Sequence, residues 1–593
     1  MRRQNRYRRR VTFRHLTVLV IAIAGACSFN TSGSSDIDGG VAPPDGDIVT
    51  ADGGAVGEGC VGDEDCVEGV CDEDAQVCVE CLGDGDCDGV CDVEANRCVE
   101  CIGDDVCGDG RVCTEDNQCI DDPRRLAICG DEEVDLNSDA GHCGACDNAC
   151  GAGTSGDCVD GHCESQVACD EGETEDFGAG DGSEDDPYLI CNAAQLERLS
   201  GSDDGDLLSS HFLVTAPLPL DGLQWAPFGG SDEFEGRFDG NHHPISSFAI
   251  DLGSSRSGFF EHIDDDGEVR NVILENVDGL GEDNEVGLLA GRNDGLIENA
   301  IVRGTVAGAE RVGGMVGRND GSIRASRAEI TVSATESVVG GLVGICDGGE
   351  IATSIATGSV KGEREVGGLV GLAESDCLIS DARTDAEVTA QNSRVGGLAG
   401  RLRSDAAVQR SSAKGRVEID GDGDEAGGLV GRMHSSGTSV VESFATGAVI
   451  APASDDVGGL VGRVRRPALI RNSYATGDVQ GKDEVGGLLG RIEQSDTTVE
   501  NTYSVGLVEG DDIGGLVGKS DDDDDVLASY WWFDADENAD QPDESAGGES
   551  RTTGEFAERS SFQGWDFSQV WSIEDGQGDP VPRRPILRWQ LTP

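Results

Sequence analysis

Apolar residues fall in short runs of three to six along most of this chain, and glycines separate the runs. In the second half of the chain one phrase, V-G-G-L-V-G or a close variant, returns every 26 to 31 residues. The phrase starts at Val286, Val312, Val339, Val366, Val395, Ala426, Val457, Val485 and Ile513. A period of this size indicates stacked units, none of which buries its own apolar face alone.

The composition of the runs predicts strands. Val, Leu, Ile, Thr and Ser dominate them, and no helical period is present. Paired glycines such as Gly340 and Gly341 suit corners that need a positive φ or a close approach between coils. We therefore predict an all-β fold, a repeat β-solenoid similar to a parallel β-helix, with about nine to ten coils. A short helix is predicted over residues 192–200, with Asn192 as its N-cap.

The repeated phrase and the segments around it resemble a known family. A second phrase follows each first one, as in Ile351–Gly358, which reads I-A-T-S-I-A-T-G. Together they resemble the GLUG repeat of bacterial surface proteins, which include adhesin-like proteins and non-catalytic parts of secreted IgA peptidases. Asp186–Leu199 and Phe234–His242 resemble the segment that leads into such repeats, and Ser561–Ile573 resembles the closing segment. The resemblance covers about residues 172–593 and implies a β-rich repeat surface without chemistry of its own.

The N-terminus has the pattern of an export signal. Seven arginines precede residue 15, and the apolar stretch Leu16–Ala26 follows, directly before Cys27. This stretch is too short to span a bilayer as a helix. Ile23–Cys27 resembles a bacterial lipobox, which implies lipidation of Cys27; cleavage that leaves Cys27 unmodified is the alternative. Residues 28–59 are rich in Gly, Asp, Ser and Ala and predict a flexible tether.

Cysteines concentrate before the repeats. The chain has 23, and a four-cysteine unit recurs three times between Cys60 and Cys119, with eight more cysteines between Cys129 and Cys191. This density is typical of a disulfide scaffold in an oxidising compartment, although the C-x-x-C pairs keep zinc as an alternative. The last pair, Cys346 and Cys377, lies 31 residues apart, about one coil. We expect it to link adjacent turns.

These signals divide the chain into seven parts. All six tryptophans lie outside the glycine phrases, which suits caps over the open ends of a solenoid. The parts are a signal peptide (1–26), a tether (27–59), three four-cysteine modules (60–119), a second cysteine-rich module (120–171), a leading segment with an N-terminal cap (172–285), the GLUG-type solenoid (286–533) and a C-terminal cap (534–593).

The charge is strongly acidic. Asp and Glu number 116 against 43 Lys and Arg, which gives a formal net charge of −73. Such a surface repels nucleic acid, so no nucleic-acid partner is expected. The acids either keep a long exposed sheet soluble or bind structural calcium, and no other cofactor is predicted. The calcium candidates are Asp420, Asp422, Asp424, Asp534 and Asp536.

One row of aromatic residues follows the coil period. Phe444, Tyr474, Tyr503 and Tyr530 are spaced 30, 29 and 27 residues apart and should stack in register. Inside the coil they would form a ladder that buries apolar area. Facing outward, they would form a strip that binds sugar.

No catalytic motif survives inspection. The chain has no G-x-S-x-G and no H-E-x-x-H, and Asp239, His242 and His243 are the nearest approach to a catalytic cluster. The sequence therefore favours a non-enzyme: an exported, lipid-anchored protein of the outer membrane or cell surface that displays the solenoid for adhesion. Its expected partners are the membrane, through the anchor, and a glycan, matrix or cell-surface ligand. A polysaccharide lyase or hydrolase, a non-binding envelope scaffold and a periplasmic location remain the alternatives.

Overall fold

The computed structural model describes residues 177–229, 233–251, 255–281, 284–494, 496–521, 526–534, 541–575 and 583–591, and the backbone of short strands between residues 70 and 165. The predicted signal peptide, Cys27, the tether and Asp536 lie outside the described residues. The solenoid belongs to the second of two compact units, which comprises Gly108–Val112 and Ile120–Pro593. No helix in the described ranges is long and apolar enough to cross a membrane.

The short strands of the cysteine-rich region form two-stranded sheets. They pair Val70–Asp72 with Val77–Val79, Val90–Asp92 with Arg97–Val99, Arg111–Cys113 with Cys119–Asp121, Leu126–Cys129 with Glu132–Asp135, and Thr154–Val159 with His162–Ser165. The first three of these sheets follow the three predicted four-cysteine units. The pairing of the cysteines in those units lies outside the described residues.

Most of the described residues from 177 onward form an all-β parallel solenoid of about 12 turns with little helix. Each full coil contributes to four parallel sheets, which we number 1 to 4 in their order within a coil, starting from the glycine phrase. Sheets 1 and 2 have 10 strands each, sheet 3 has 13 and sheet 4 has 19, because its long strand divides into two short ones in the later coils.

The glycine phrase builds sheets 1 and 2. Sheet 1 consists of Arg256–Ser257, Glu285–Val286, Val312–Gly313, Ser337–Gly340, Arg364–Gly367, Val395–Gly396, Ala426–Gly427, Val457–Gly458, Val485–Gly486 and Ile513–Gly514. Sheet 2 consists of Phe260–Ile263, Ala290–Asn293, Val316–Asn319, Val343–Asp347, Val370–Glu374, Ala399–Leu402, Val430–Met433, Val461–Val464, Leu489–Ile492 and Val517–Ser520.

The second phrase builds sheets 3 and 4. Sheet 3 consists of Tyr188–Ile190, Phe212–Val214, Arg237–Asp239, Glu268–Arg270, Leu296–Glu298, Ser322–Arg324, Glu350–Ala352, Leu378–Ser380, Ala407–Gln409, Ser439–Val441, Leu469–Arg471, Thr498–Glu500 and Val526–Leu527. Sheet 4 consists of Leu218–Pro219, Gln224–Trp225, Pro244–Ile250, Ile273–Leu280, Ile301–Gly308, Arg327–Ala334, Ile355–Gly362, Arg383–Thr384, Glu387–Ala390, Ser412–Ala413, Val417–Ile419, Phe444–Ala445, Val449–Ile450, Tyr474–Ala475, Val479–Gln480, Tyr503–Ser504, Val508–Glu509, Tyr530–Trp532 and Glu549–Arg551.

Helix is confined to short segments at the two ends of the described solenoid. They are the α-helices Ala193–Glu197, Gly205–Leu208 and Thr553–Phe556 and the 3-10 helices Arg559–Ser561 and Arg588–Leu591. The first confirms the predicted helix and its cap, because the Asn192 side chain accepts a hydrogen bond from the Gln195 backbone N–H at 3.0 Å. Near the C-terminus, Trp571–Asp575 and Arg583–Leu587 form an antiparallel hairpin.

The predicted count of nine to ten coils was too low. Sheet 3 begins at Tyr188–Ile190, so the leading segment already forms coils although it lacks the glycine phrase. In these leading coils aromatic rings, and not the residues of the glycine phrase, make the interior contacts. Trp225 stacks on Phe259 with the ring centroids 4.2 Å apart, and Phe234 and Phe260 lie 5.0 Å apart. A count of phrases therefore misses the coils that aromatic residues fill.

The glycines of the phrase serve close approach rather than positive φ. A Cβ on Gly340 would lie 2.0 Å from the Val343 carbonyl oxygen, and one on Gly341 would lie 2.1 Å from the oxygen of Gly368 in the next coil. In this phrase the left-handed conformation instead falls on the residue before it, as at Glu425 with φ 70°. The phrase is thus glycine-rich because neighbouring backbones leave no room for a side chain.

Candidate binding site

The four predicted aromatic residues occupy one row of sheet 4. Phe444 pairs with Tyr474, Tyr474 with Tyr503, and Tyr503 with Tyr530. Ring centroids are 4.9 Å apart for Phe444 and Tyr474 and 4.8 Å apart for Tyr474 and Tyr503, with nearly parallel planes. The neighbouring Ala445 belongs to the interior cluster, whereas the rings belong to a separate cluster. Because side chains alternate across a strand, the rings lie on the outer face of the solenoid.

The C-terminal segment, which we define as residues 553–575 and 583–591, covers this row. The Tyr503 hydroxyl donates a hydrogen bond to the Pro585 carbonyl oxygen at 2.6 Å, and the Tyr474 hydroxyl donates one to Gln590 Oε1 at 3.0 Å. Trp589 Nε1 donates to the Glu442 carbonyl oxygen at 2.8 Å. Residues that pack on the rings include Phe556, Phe562, Trp565, Trp571 and Leu587.

Both interpretations of the aromatic row were therefore wrong in part. The rings do form a stacked, buried ladder, since Phe444, Tyr474, Tyr503 and Tyr530 are only 4%, 1%, 0% and 4% exposed. However, the ladder lies outside the coil, between sheet 4 and the C-terminal segment, and not in the interior. An open outward strip for sugar is excluded, because the C-terminal segment occupies that face.

A cleft opens where the ladder ends. It has a volume of about 270 Å³. Its lining comprises Arg383, Ser412, Lys414, Phe444, Thr446, Tyr474, Arg584, Ile586, Trp589 and Gln590. In the ladder row, Arg383 pairs with Ser412, and Ser412 pairs with Phe444. The small Ser412 side chain thus follows the last ring, and the C-terminal segment forms the opposite wall.

The lining of this cleft is rich in hydrogen-bond donors. Arg383 and Lys414 are exposed, and neither has an ion pair among the described residues. The Arg584 guanidinium is 5% exposed and lies 5.7 Å from the Tyr474 ring centroid. Gln590 Oε1 accepts hydrogen bonds from the Tyr474 hydroxyl and the Leu587 N–H, which leaves its NH₂ group as the donor side. The cleft therefore suits a ligand that carries acceptors.

A second polar feature is a row of basic residues on sheet 2. Arg401, Arg432, Arg463, Arg491 and Lys519 pair in register across successive coils. Carboxylates at the start of sheet 1 face them. One of the most buried is that of Glu425, 4% exposed, which contacts Arg432 at 2.7 Å, Arg394 at 3.2 Å and Arg463 at 3.5 Å. The row forms a paired network that joins coils.

One carboxyl pair in this network shares a proton. Burial, together with a hydrogen bond to Glu484, raises the pKa of Asp456 to about 8. Burial also acts to raise the pKa of Glu484, but the hydrogen bonds from Asp456 and Lys519 outweigh it and lower that pKa to about 2. Two carboxyl groups can share a hydrogen bond only if one is protonated. Asp456 therefore holds a proton at neutral pH.

The four predicted calcium ligands that the structure describes form no three-ligand cluster. Asp420, Asp422 and Asp424 are exposed and form no cluster, and Asp534 Oδ2 accepts a long hydrogen bond from the Thr553 N–H at 3.4 Å. Within the described ranges, three carboxylates meet within 4.8 Å only at residues 264–266, on the surface. Successive acids on an exposed turn are common without a metal, so this cluster carries no assignment.

The remaining predicted residues serve contacts between coils. Cys346 and Cys377 form a disulfide with their Cα atoms 5.9 Å apart. Cys191 is also disulfide-bonded. Asp239 Oδ1 accepts a hydrogen bond from Asn271 Nδ2 at 3.0 Å, and burial raises the pKa of Asp239. Asn299 Nδ2 in turn donates a hydrogen bond to Asn271 Oδ1 at 3.3 Å. Asp239 is therefore the first member of a row of side-chain hydrogen bonds that connects successive coils.

Sequence reasoning missed the cleft and the basic row. The basic row has a signal, since Arg follows the third glycine of the phrase in successive coils. One wall of the cleft could have been found from the sequence, because extending the aromatic spacing two coils upstream reaches Ser412 and Arg383. Its other wall comes from Arg584 and Trp589, which contact sheet 4 from far along the chain and have no local pattern.

Comparison with known proteins gives partial likenesses. No protein-family model matches the chain. It is 32% identical over 149 residues to "Halomucin" of Haloquadratum walsbyi and 34% identical over 133 residues to a "Putative Gly-rich membrane protein" of Evansella cellulosilytica. These matches cover 23% and 21% of this chain, and only 2% and 15% of the respective relatives.

Two solved structures show weak similarity. One is described as a "putative immunoglobulin A1 protease" from Bacteroides ovatus, with 17% identity and a TM-score of 0.24, covering 69% of this chain and 94% of that one. The other is described as "IgA1 Protease", with 15% identity and a TM-score of 0.23, covering 58% of this chain and 21% of that one. The geometry establishes a repetitive β-solenoid, and the sequence comparisons add a partial likeness to Halomucin and to a protein named as a putative Gly-rich membrane protein.

Proposed function

We propose that this chain is an exported bacterial envelope protein of the GLUG-repeat type whose solenoid binds a carbohydrate. In this proposal Cys27 carries a lipid anchor, residues 27–59 are the tether, and the cysteine-rich modules follow the tether along the chain. The paired Cys346 and Cys377 and the bonded Cys191 support an oxidising compartment. The names of the partial relatives are in keeping with an envelope location.

The observation that carries the binding function is the cleft beside Ser412. Carbohydrate sites combine an apolar wall with a few converging polar groups. Here Trp589 and Ile586 supply the apolar wall, and Thr446 and the Gln590 amide supply polar groups at its rim. The Trp589 ring is held in place by its hydrogen bond to the Glu442 carbonyl oxygen, so the wall is formed before a ligand arrives.

Binding fits this cleft better than hydrolysis. Glycosidases use a pair of carboxyl groups that flank the scissile bond. The ten lining residues contain neither a carboxylate nor a histidine. We therefore place the chain with adhesins and other ligand-binding surface proteins in this proposal, and not with polysaccharide hydrolases.

The test is glycan-array binding by the full chain, with Ser412→Phe as the variant and Ser412→Ala as its matched control. A Phe at this position continues the ladder row and fills the cleft, whereas Ala keeps the cleft open. We expect wild type and Ser412→Ala to retain the same glycans and Ser412→Phe to lose them. Equal binding by all three proteins would refute the proposed site. Protease accessibility on intact cells tests display, and new reducing ends after incubation with bound glycans would indicate an enzyme instead.

A further inference from the structure

The geometry points to a single acidic sugar, a monosaccharide unit that carries a carboxylate, as the ligand of the cleft beside Ser412. This inference rests on the proposed carbohydrate-binding function and adds the chemical class of the ligand. Its basis is the presence of the exposed Arg383 and Lys414 in the lining of one small apolar-walled cleft.

The charge of the lining is the opposite of the charge of the chain. The formal net charge is −73, and acids outnumber bases 116 to 43. Nevertheless, three of the ten residues that line the cleft are basic and none is acidic. On the sheet 4 side, Arg383 and Lys414 are exposed and free of ion pairs among the described residues. A local reversal of this kind favours an anionic ligand.

The hydrogen-bonding groups agree with that charge. Arg and Lys side chains can only donate hydrogen bonds, and the available side of Gln590 is its NH₂ group. Arg pairs well with carboxylates because its planar group can donate two parallel hydrogen bonds. The Ser412 and Thr446 hydroxyls can accept as well as donate, which suits the ring hydroxyls of a sugar.

Size and long-range charge restrict the ligand to one acidic unit. The volume of about 270 Å³ lies just below the range usual for drug-sized ligands, so one sugar ring is the appropriate scale. A long polyanion would also extend over the surrounding acidic surface, which repels it. A neutral glycan that ends in one acidic sugar meets the basic cleft without this repulsion.

The test uses defined probes and the full chain. Saturation-transfer NMR titrations would compare galacturonic acid, its methyl ester and galactose, which differ at one carbon only. We expect the acid to bind about three- to tenfold more tightly than the ester or galactose, as for charge-assisted hydrogen bonds at a half-exposed site. Arg383→Ala and Lys414→Ala should each remove most of this preference. Lys361→Ala, an exposed lysine of sheet 4 outside the cleft, is the matched control and should keep it.

The outcomes separate this inference from the proposed function. Equal binding of acid, ester and galactose, lost in Ser412→Phe, would overturn the acidic class and retain carbohydrate binding. No binding of any probe, together with an empty glycan array, would overturn both. Preference for the acid that survives in Ser412→Phe, or in the Arg383→Ala and Lys414→Ala double variant, would place the site elsewhere and overturn the inference.

Discussion

Replacing Tyr503 by Ala should release the C-terminal segment without unfolding the solenoid. The ring is 0% exposed and stacks on Tyr474 at 4.8 Å, and its hydroxyl bonds the Pro585 carbonyl oxygen. Trp565 and Trp571 pack on it at 6.2 and 6.1 Å. All of these contacts lie in the outer cluster and none in the interior.

The magnitude follows from what is removed. Truncating a fully buried aromatic side chain to Ala costs about 3–5 kcal/mol. The hydrogen bond of the lost hydroxyl group accounts for about 1 kcal/mol. This loss falls on the association of the C-terminal segment with sheet 4. A matched interior truncation is Leu488→Ala, also at a position with 0% exposure, which costs about 3–5 kcal/mol in the solenoid itself.

The assay combines limited proteolysis with two optical probes. Cleavage near the C-terminus and a red shift of tryptophan emission report release of the segment, and far-ultraviolet circular dichroism reports the solenoid. We expect Tyr503→Ala to be cleaved readily while its main melting transition stays near that of wild type. Leu488→Ala should show the reverse. A Tyr503→Ala protein with a protected C-terminus and a melting transition as low as that of Leu488→Ala would refute an outer ladder.

Three further predictions concern the solenoid. Replacing Cys346 and Cys377 together by Ala should lower the free energy of unfolding by about 3–4 kcal/mol, the loop-closure entropy for a 31-residue separation. Reductant should then shift the urea midpoint of the variant less than that of wild type, since only the other disulfides, such as that of Cys191, remain. Gly341→Ala should lower the free energy of unfolding by more than about 2 kcal/mol, because the added Cβ would lie 2.1 Å from the Gly368 carbonyl oxygen. In the control variant Gly205→Ala the added Cβ has no atom within 4 Å, so this variant should melt at the same temperature as wild type. Because the pKa of Asp456 is raised, the folded state keeps a proton that the unfolded state loses above about pH 4. The contribution of Asp456 to the free energy of unfolding therefore falls as the pH rises from about 4 towards about 8. The slope is at most about 1.4 kcal/mol per pH unit. Asp456→Asn should therefore gain stability relative to wild type from pH 5 to pH 8.5 in thermal melts, and a constant difference between the two would contradict the shared proton.

The period of the glycine phrase was sufficient to predict a solenoid because every coil must solve the same packing problem. Gly341 and its equivalents face a backbone oxygen of the next coil, so the same residue type is required in each turn. The spacing of Cys346 and Cys377 is informative for the same reason, since one coil separates them. Where other residues solve the problem, as Trp225 and Phe259 do in the leading coils, the period is lost and the coil count fails.

The side of the ladder could not be predicted from the local sequence. Phe444–Ala445 is a two-residue strand, and alternation over two residues does not say which side chain faces the interior. The deciding fact is the C-terminal segment, which reaches back so that Trp589 contacts Glu442 across 147 residues of chain. A contact of this sequence separation has no periodic signal, and the cleft that depends on it was missed with it.

The residue types along the ladder row explain why the cleft lies where it does. From Tyr530 back to Phe444 the row is aromatic, and this is the length that the C-terminal segment covers. One coil further the row changes to Ser412, and then to the exposed Arg383. An outer apolar row is stable in water only beneath a cover, so the change from ring to hydroxyl to guanidinium follows the end of that cover. The cleft is therefore the boundary of the C-terminal segment rather than a packing defect.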